Sequence, residues 1–144
     1  MRRRFALLAL MLGSVAPAAA AQDAAARAQE WLALLDATQY AEAWAQAAPR
    51  LREGLDTQPW SQRIRHGRRG NGAVACRKRV AVEHLMQPPR VAAVFVTQFA
   101  DGNRIGERVT LSPDLTQVLD YRVGPAAIDH GAPCSATTTP EARR

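Results

Sequence analysis

The histidines and cysteines are the residues of this chain whose types most readily suggest chemistry. The sequence contains the histidines His66, His84 and His130 and the cysteines Cys76 and Cys134. No two histidines have the four-residue spacing of a helical metal site, and the cysteines lack the short spacing typical of zinc ligands. The pattern therefore predicts no metal site and no cofactor.

A nucleophile pair made of Cys76 and His84 is excluded by distance. Both residues fall in a stretch with strand periodicity, and alternation places them on the same face. Eight residues at ~3.3 Å each separate them by about 26 Å, which is far beyond the reach of a hydrogen bond. The two residues therefore do not form a nucleophile–base pair within this strand.

Acid–base chemistry has three candidates, namely Asp36, His84 and Asp120. A cavity between helices and a sheet would have to bring them together. A single carboxylate that follows a helix is more often a cap or a surface charge. We name no catalytic residue, and this chemistry remains an alternative.

Arginines form the densest charged feature. Those considered for contact with an anionic surface are Arg65, Arg68, Arg69, Arg77 and Arg79. In an exported protein such a set meets anionic lipid, lipopolysaccharide or cell-wall polymers, and we expect no nucleic-acid partner. A solvated loop followed by an outward strand face explains the same pattern, so both interpretations stay open.

Residues 1–21 have the features of a secretory signal peptide. Three arginines precede an apolar run, and the segment ends in Ala19-Ala20-Ala21. The run of about 16 apolar or small residues is shorter than the ~20 that a spanning helix needs, so we expect no transmembrane anchor after cleavage. The predicted location is the periplasm or the exterior, and the mature charge falls from +6 to about +3.

Export gives the two cysteines a second interpretation. Cys76 and Cys134 are the only pair, and an oxidising compartment favours a bridge between them. The alternative is that Cys76 is a small buried residue and Cys134 a loose thiol in the tail. We predict the disulfide.

Three helices are predicted in the first half of the mature chain. Apolar residues recur at spacings of three and four from Ala24 to Leu35, and again from Tyr40 to Leu51. Thr38 is expected to cap the second helix, and Pro49 to kink or split it. A third, short helix is expected at about 58–65.

Four antiparallel strands are predicted after residue 72, where the period changes to two. In the first strand, alternation places Arg77, Arg79 and Glu83 opposite Cys76 and His84. The stretch 91–99 is apolar on both faces and is predicted to be the central strand. Helices followed by strands indicate an α+β domain, 22–123, with the three helices packed on one face of a curved four-stranded sheet, and a mostly irregular tail, 124–144.

Large apolar side chains are predicted to line either a core or a ligand cavity in this domain. They are Trp31, Leu35, Tyr40, Trp44, Trp60, Phe95 and Tyr121.

The stretches Trp31 to Asp36 and Tyr40 to Trp44, together with Trp60, Val109 to Leu111 and Tyr121, resemble the bacterial domain of unknown function 4019. The resemblance implies a small secreted α+β protein with a cystatin-like or nuclear-transport-factor-like cone shape. The family has no assigned reaction, so the resemblance implies no catalytic residues.

The function we expect is that of an exported non-enzymatic module, which binds a small apolar ligand or an envelope partner. The alternative is a cone-fold enzyme with acid–base chemistry between the helices and the sheet. A cavity with at least two convergent ionisable groups favours the enzyme, whereas a filled core or an apolar pocket favours the module.

Overall fold

Helices precede strands throughout the computed structural model, which describes residues 17–68 and 72–126. The helices are α1 (Pro17–Asp36), α2 (Tyr40–Gln46), α3 (Pro49–Arg52) and α4 (Thr57–Gly67), and the strands are β1 (Val74–Met86), β2 (Pro89–Phe99), β3 (Arg104–Leu111) and β4 (Val118–Pro125). Residues 1–16 of the predicted signal peptide and the predicted tail from residue 127 onward lie outside the described residues. The predicted α+β class is confirmed.

Pro49 divides the second predicted helix, as expected. It occupies the first turn of α3, where its missing N–H breaks no helical hydrogen bond. The two residues before it are extended, and Ala47 forms a parallel bridge with Val118. The Ala48 N–H donates to the Val118 carbonyl at 2.8 Å, so the break in the helix attaches the helical layer to β4.

The predicted capping role of Thr38 is wrong. Thr38 has a φ of 59°, and α2 begins after Gln39 without a side-chain cap. A residue in this left-handed conformation is a common way to end a helix. The Thr38 N–H donates to the Leu35 carbonyl at 3.1 Å and the Gln39 N–H to the Leu34 carbonyl at 2.8 Å. Thr38 therefore terminates α1.

Four strands form one antiparallel sheet in the order β1-β2-β3-β4. Each strand pairs with the next one along the chain, which is typical of short hairpin connections. β2 is buried on both faces, as predicted for the central strand. The helices cover the face that carries Val91, Ala93 and Phe95, and we call the opposite face the outer face of the sheet.

The predicted faces of β1 are corrected by its register. Arg77 pairs with Thr97 and is on the helix-facing side, whereas Cys76 pairs with Gln98 and is on the outer face. His84, which pairs with Val91, is on the helix-facing side. A register shift between Arg79 and Ala81 adds one residue, so alternation across it changes face. Uninterrupted alternation of faces along β1, as assumed from the sequence, had placed Cys76 and His84 on the same face.

Cys76 is buried in β1, and the described residues contain no free cysteine. Cys134 lies outside the described residues. The bridge between the two therefore stays a prediction.

The core lies between the helices and the sheet. Trp31 is fully buried, and its ring contacts those of Trp60 and Tyr121 with centroids 6.4 and 5.2 Å away. Leu35 and Phe95 are also buried in this core. The predicted large apolar residues thus pack together, and Tyr40, Trp44 and Tyr121 are its partly buried members.

Indole N–H groups hold the α2–α3 region in place. Trp31 Nε1 donates to the Ala43 carbonyl at 3.0 Å, and Trp44 Nε1 donates to the Leu55 carbonyl at 3.1 Å. Trp60 Nε1 of α4 donates to the Leu51 carbonyl of α3, so this hydrogen bond joins two helices. The rings fill the core and also satisfy backbone carbonyls of α2, of α3 and of the connection to α4. No helix within the described residues has the length and hydropathy that a membrane span requires.

We predict that Trp31→Ala lowers the free energy of unfolding by about 3–5 kcal/mol, because it removes a large buried ring and the donor to Ala43. Urea denaturation monitored by circular dichroism measures the change. The control is Met86→Ala, since Met86 is 75% exposed. It should change the same quantity by no more than about 0.5 kcal/mol. An unaltered stability of Trp31→Ala would show that this ring does not support the core.

Candidate functional site

Six polar side chains, five from different elements and one from the residue after α4, meet at the helix–sheet interface. We call this group the buried charge cluster, and its members are Asp36, Arg68, Arg77, Thr97, Glu107 and Tyr121. Asp36 ends α1 and Arg68 follows α4, while the other four each lie on a different strand. The cluster is thus built where two helices end against the sheet.

Glu107 is the centre of the cluster and is fully buried. Its Oε1 accepts hydrogen bonds from Arg68 Nε at 3.1 Å and from the Tyr121 hydroxyl at 2.6 Å. Its Oε2 accepts from Arg77 Nη2 at 3.1 Å, from Arg77 Nε at 3.3 Å and from the Thr97 hydroxyl. A carboxylate has about four lone-pair positions, so these donors occupy its full capacity.

Asp36 forms the outer side of the cluster, with 22% of its side chain exposed. Its Oδ1 accepts from Arg68 Nη2 at 2.6 Å and from Arg77 Nη2 at 3.0 Å. Its Oδ2 accepts from Arg77 Nη1 at 2.8 Å. Arg77 therefore binds Asp36 with the two-pronged geometry that makes arginine–carboxylate pairs strong, and it reaches Glu107 at the same time.

Two arginines balance two carboxylates in a nearly dry environment. The side chains of Arg68 and Arg77 are only 8% and 6% exposed. Burial alone would lower the pKa of each guanidinium, but the attraction of Glu107 and the hydrogen bond to Asp36 outweigh it and raise each pKa above its ordinary value. Both arginines remain charged at any physiological pH.

Tyr121 is the neutral donor of the cluster. Burial raises the pKa of its hydroxyl well above the ordinary value, and the negative charge of Glu107 raises it further. The phenol therefore keeps its proton and donates a hydrogen bond to the Glu107 carboxylate. Tyr121 also contacts Trp31, which joins the charge cluster to the apolar core.

This arrangement stabilises charges but leaves little capacity for catalysis. A general base needs an oxygen that can accept a proton from a substrate. The oxygens of Glu107 are saturated by its protein partners, and both oxygens of Asp36 accept hydrogen bonds from arginine. Within residues 17–68 and 72–126, no group of three or more His, Cys, Asp or Glu side chains is arranged to hold a metal ion.

The three acid–base candidates from the sequence do not come together. Asp36 belongs to the buried charge cluster. His84 is exposed near the β1–β2 hairpin, and Asp120 pairs with Arg122 at 2.8 Å on the outer face. The described residues therefore do not form the site that these three were expected to share.

The predicted basic surface is divided by the fold. Arg68 and Arg77 are buried among carboxylates, so the expectation that they face solvent is corrected. Arg65 and Arg79 are exposed, and the Arg65 guanidinium lies 5.4 Å from the centre of the Tyr40 ring. Arg69 lies outside the described residues.

Glu107 and Thr97 are the site residues that sequence reasoning missed. Glu107 follows Ile105 and precedes Val109 and Leu111 at spacings of two, so it occupies an apolar face. A charged residue at such a position signals a buried ion pair, because an unpaired carboxylate there would be too costly. Its partners follow from no local pattern.

Two clefts lie near the β1–β2 hairpin. The first, which we call the outer cleft, has a volume of about 530 Å³ and lies on the outer face of the sheet. The second, which we call the hairpin cleft, has a volume of about 340 Å³ and reaches α1 at Asp23. Leu85 and Arg90 line both clefts.

We predict that Glu107→Gln lowers the free energy of unfolding by about 3–5 kcal/mol, because it keeps the shape but leaves buried guanidinium charge without its carboxylate. Chemical denaturation measures the change. Glu83→Gln is the matched control, since Glu83 pairs with Arg108 at 2.7 Å with 42% of its side chain exposed. The control should cost about 0–1 kcal/mol. Equal effects of the two variants would contradict the central role of Glu107.

Tyr121 gives a prediction about alkaline pH. Because its pKa is higher in the folded than in the unfolded chain, its proton contributes stability that is complete below about pH 10 and is lost as pH rises further. Tyr121→Phe keeps the ring and lacks this contribution. The difference in unfolding free energy between wild type and variant should therefore be largest below about pH 10 and shrink above it.

Denaturant titrations at several values between about pH 8 and pH 11 test this. The comparison variant is Tyr40→Phe, which removes the other tyrosine hydroxyl of the chain, outside the buried charge cluster. A wild-type advantage over Tyr121→Phe that grows with pH would refute the assignment of Tyr121 as a neutral donor.

One family model matches this chain over residues 27–121, and its description is "Protein of unknown function (DUF4019)". The match runs from α1 through all strands to Tyr121, so it includes every member of the buried charge cluster. No curated protein and no solved structure matches the chain. Since the family match covers more than half of the sequence, the chain belongs to the DUF4019 family.

Proposed function

We propose that this chain is an exported, non-enzymatic module that binds an envelope partner through surfaces outside the helix–sheet interior. The observation that carries the proposal concerns Glu107, the fully buried carboxylate among the described residues. Hydrogen bonds from protein donors occupy both its oxygens. A fully occupied carboxylate holds structure together and cannot take a proton without losing a partner.

The apolar interior supports the same conclusion. Trp31, Trp60 and Phe95 fill the space in which a small apolar ligand was expected to bind. A ligand there would have to displace packed rings, and truncating such rings typically costs several kcal/mol. Partner binding is therefore better placed on the surface than in the core.

The end of the sheet at the β1–β2 hairpin is the best candidate surface. The outer cleft and the hairpin cleft meet there and share Leu85 and Arg90. Met86 lies in the hairpin cleft and is 75% exposed, which makes it one of the few large apolar side chains open to solvent among the described residues. Flexible methionine side chains suit surfaces that adapt to a partner.

An acid–base enzyme is the second candidate, and one observation favours it. The buried charge cluster gathers ionisable groups with raised pKa values, and such groups are often found at active sites. Asp36 is the more exposed of the two carboxylates in the cluster, however, and both its oxygens are bound by arginine. The structural role of these groups accounts for the same shifts.

Export rests on the sequence of residues 1–21, with arginines, an apolar run and alanines at the end. The proposed location is the periplasm or the exterior. Cleavage after Ala21 would leave a mature α1 that begins at Gln22 and still contains Trp31, Leu35 and Asp36.

Photo-crosslinking in cells that export the full chain tests the proposal. A benzophenone side chain replaces Met86 at the hairpin end or, as a control, the exposed Gln62 of α4. We expect a discrete adduct with an envelope component from the Met86 position and none from the Gln62 position, because the partner contacts the hairpin end. Adducts from Gln62 alone, or from neither position, would contradict the proposed surface, and retention of the chain in the cytoplasm would contradict export.

A further inference from the structure

We propose that the outer cleft recognises an organic anion, a carboxylate or phosphate group carried on a short apolar body, and that Arg50 and Arg90 bind its charge. This inference rests on the proposed binding function and names the chemical group that the partner presents. The cleft volume of about 530 Å³ lies within the range of small-molecule sites.

Four arginines from four elements line the outer cleft. They are Arg50 of α3, Arg90 of β2, Arg108 of β3 and Arg122 of β4. This convergence comes from the sheet register and from the contact between α3 and β4, since these residues lie far apart in sequence. It is also separate from the basic stretch around Arg68 that the sequence first suggested.

Only two of these arginines have a carboxylate partner. Arg108 pairs with Glu83 at 2.7 Å and Arg122 pairs with Asp120 at 2.8 Å. In the part of the chain that the structure describes, neither Arg50 nor Arg90 forms a salt bridge. Asp120 is the acidic residue that lines the cleft, and its charge is offset by Arg122. The cleft therefore keeps an excess of positive charge.

The setting of Arg90 favours anion binding further. Arg90 is half-buried and lies between the two clefts, whereas Arg50 is exposed at the rim. Low-dielectric walls strengthen the attraction of a charged group compared with open solvent. A planar guanidinium binds carboxylate and phosphate oxygens in the same two-pronged manner, so the chemistry fits both groups.

Apolar side chains complete the cleft. Leu85, Pro88 and Leu119 line it together with the buried Ala48. A free inorganic anion would leave these surfaces without a contact, whereas a short alkyl or aryl body would cover them. The mixed lining therefore favours an organic anion over an inorganic one.

Calorimetric titration of the folded full chain with small probes tests this. Hexyl phosphate and hexanoate carry the two anionic groups, hexanol lacks the charge, and inorganic phosphate lacks the apolar body. We expect at least one organic anion to bind more tightly than inorganic phosphate and hexanol not to bind. The affinity should fall as salt is added, because the exposed part of the attraction is screened.

Arg50→Gln combined with Arg90→Gln should weaken binding of the organic anion by at least about tenfold, as expected for the loss of charged hydrogen bonds. Arg65→Gln combined with Arg79→Gln is the matched control, since both residues are exposed and neither lines the outer cleft. The control should bind like the wild type. If the double variant does not fold, Arg50→Gln alone replaces it, because it changes only one exposed side chain. It should also weaken binding of the organic anion.

Sedimentation with phosphatidylglycerol vesicles separates two sources of the anion. Vesicle binding that Arg50→Gln weakens assigns the group to a lipid, and binding of the soluble probes without vesicle binding assigns it to a free organic anion. The inference is overturned if neither organic anion binds, if inorganic phosphate binds as tightly, or if the cleft variants bind like the wild type. Persistent crosslinking from Met86 would then show that the proposed function stands while the cleft assignment fails.

Discussion

A single buried carboxylate constrains most of this structure. Moving an isolated carboxylate out of water costs at least several kcal/mol, so Glu107 is tolerated only with partners in place. Those partners come from β1, β2, β4 and the residue after α4. Each of these elements must therefore hold its position and register for the charge of Glu107 to be compensated, and a shift in any one of them removes a donor.

The register of β1 shows how strict this constraint is. Arg77 reaches Glu107 and Asp36 because it is on the helix-facing side, opposite Thr97. A slip of one residue would turn Arg77 to the outer face and leave Glu107 short of two hydrogen bonds. The same arginine ties α1 to the sheet through Asp36, and Tyr121 connects the cluster to Trp31 in the core. Helical layer, sheet and core thus depend on one set of charges.

Local patterns in the sequence predicted the elements but not this cluster. Apolar residues spaced three and four apart placed α1, and Pro49 marked the break between α2 and α3, since both signals act within a few residues. The faces of β1 were wrong because a register shift is invisible to an alternating pattern. Arg68 is 39 residues from Glu107, and Arg77 is 30 residues from it, so no local rule pairs them. Glu107 itself was detectable as a charge on an apolar face.

The cluster also explains why residues capable of chemistry do not imply a reaction here. Ionisable groups with raised pKa values accumulate at active sites, but they also accumulate wherever buried charges satisfy one another. An active-site carboxylate must be able to accept a further hydrogen bond or a proton from a substrate. Glu107 has no such capacity, because its protein partners occupy both its oxygens. On the outer face, Arg50 and Arg90 show the opposite condition, since no carboxylate of the described residues balances them. Unbalanced charge near water attracts groups of the opposite sign, whereas the paired charges of the interior have no free donor or acceptor to offer such a group.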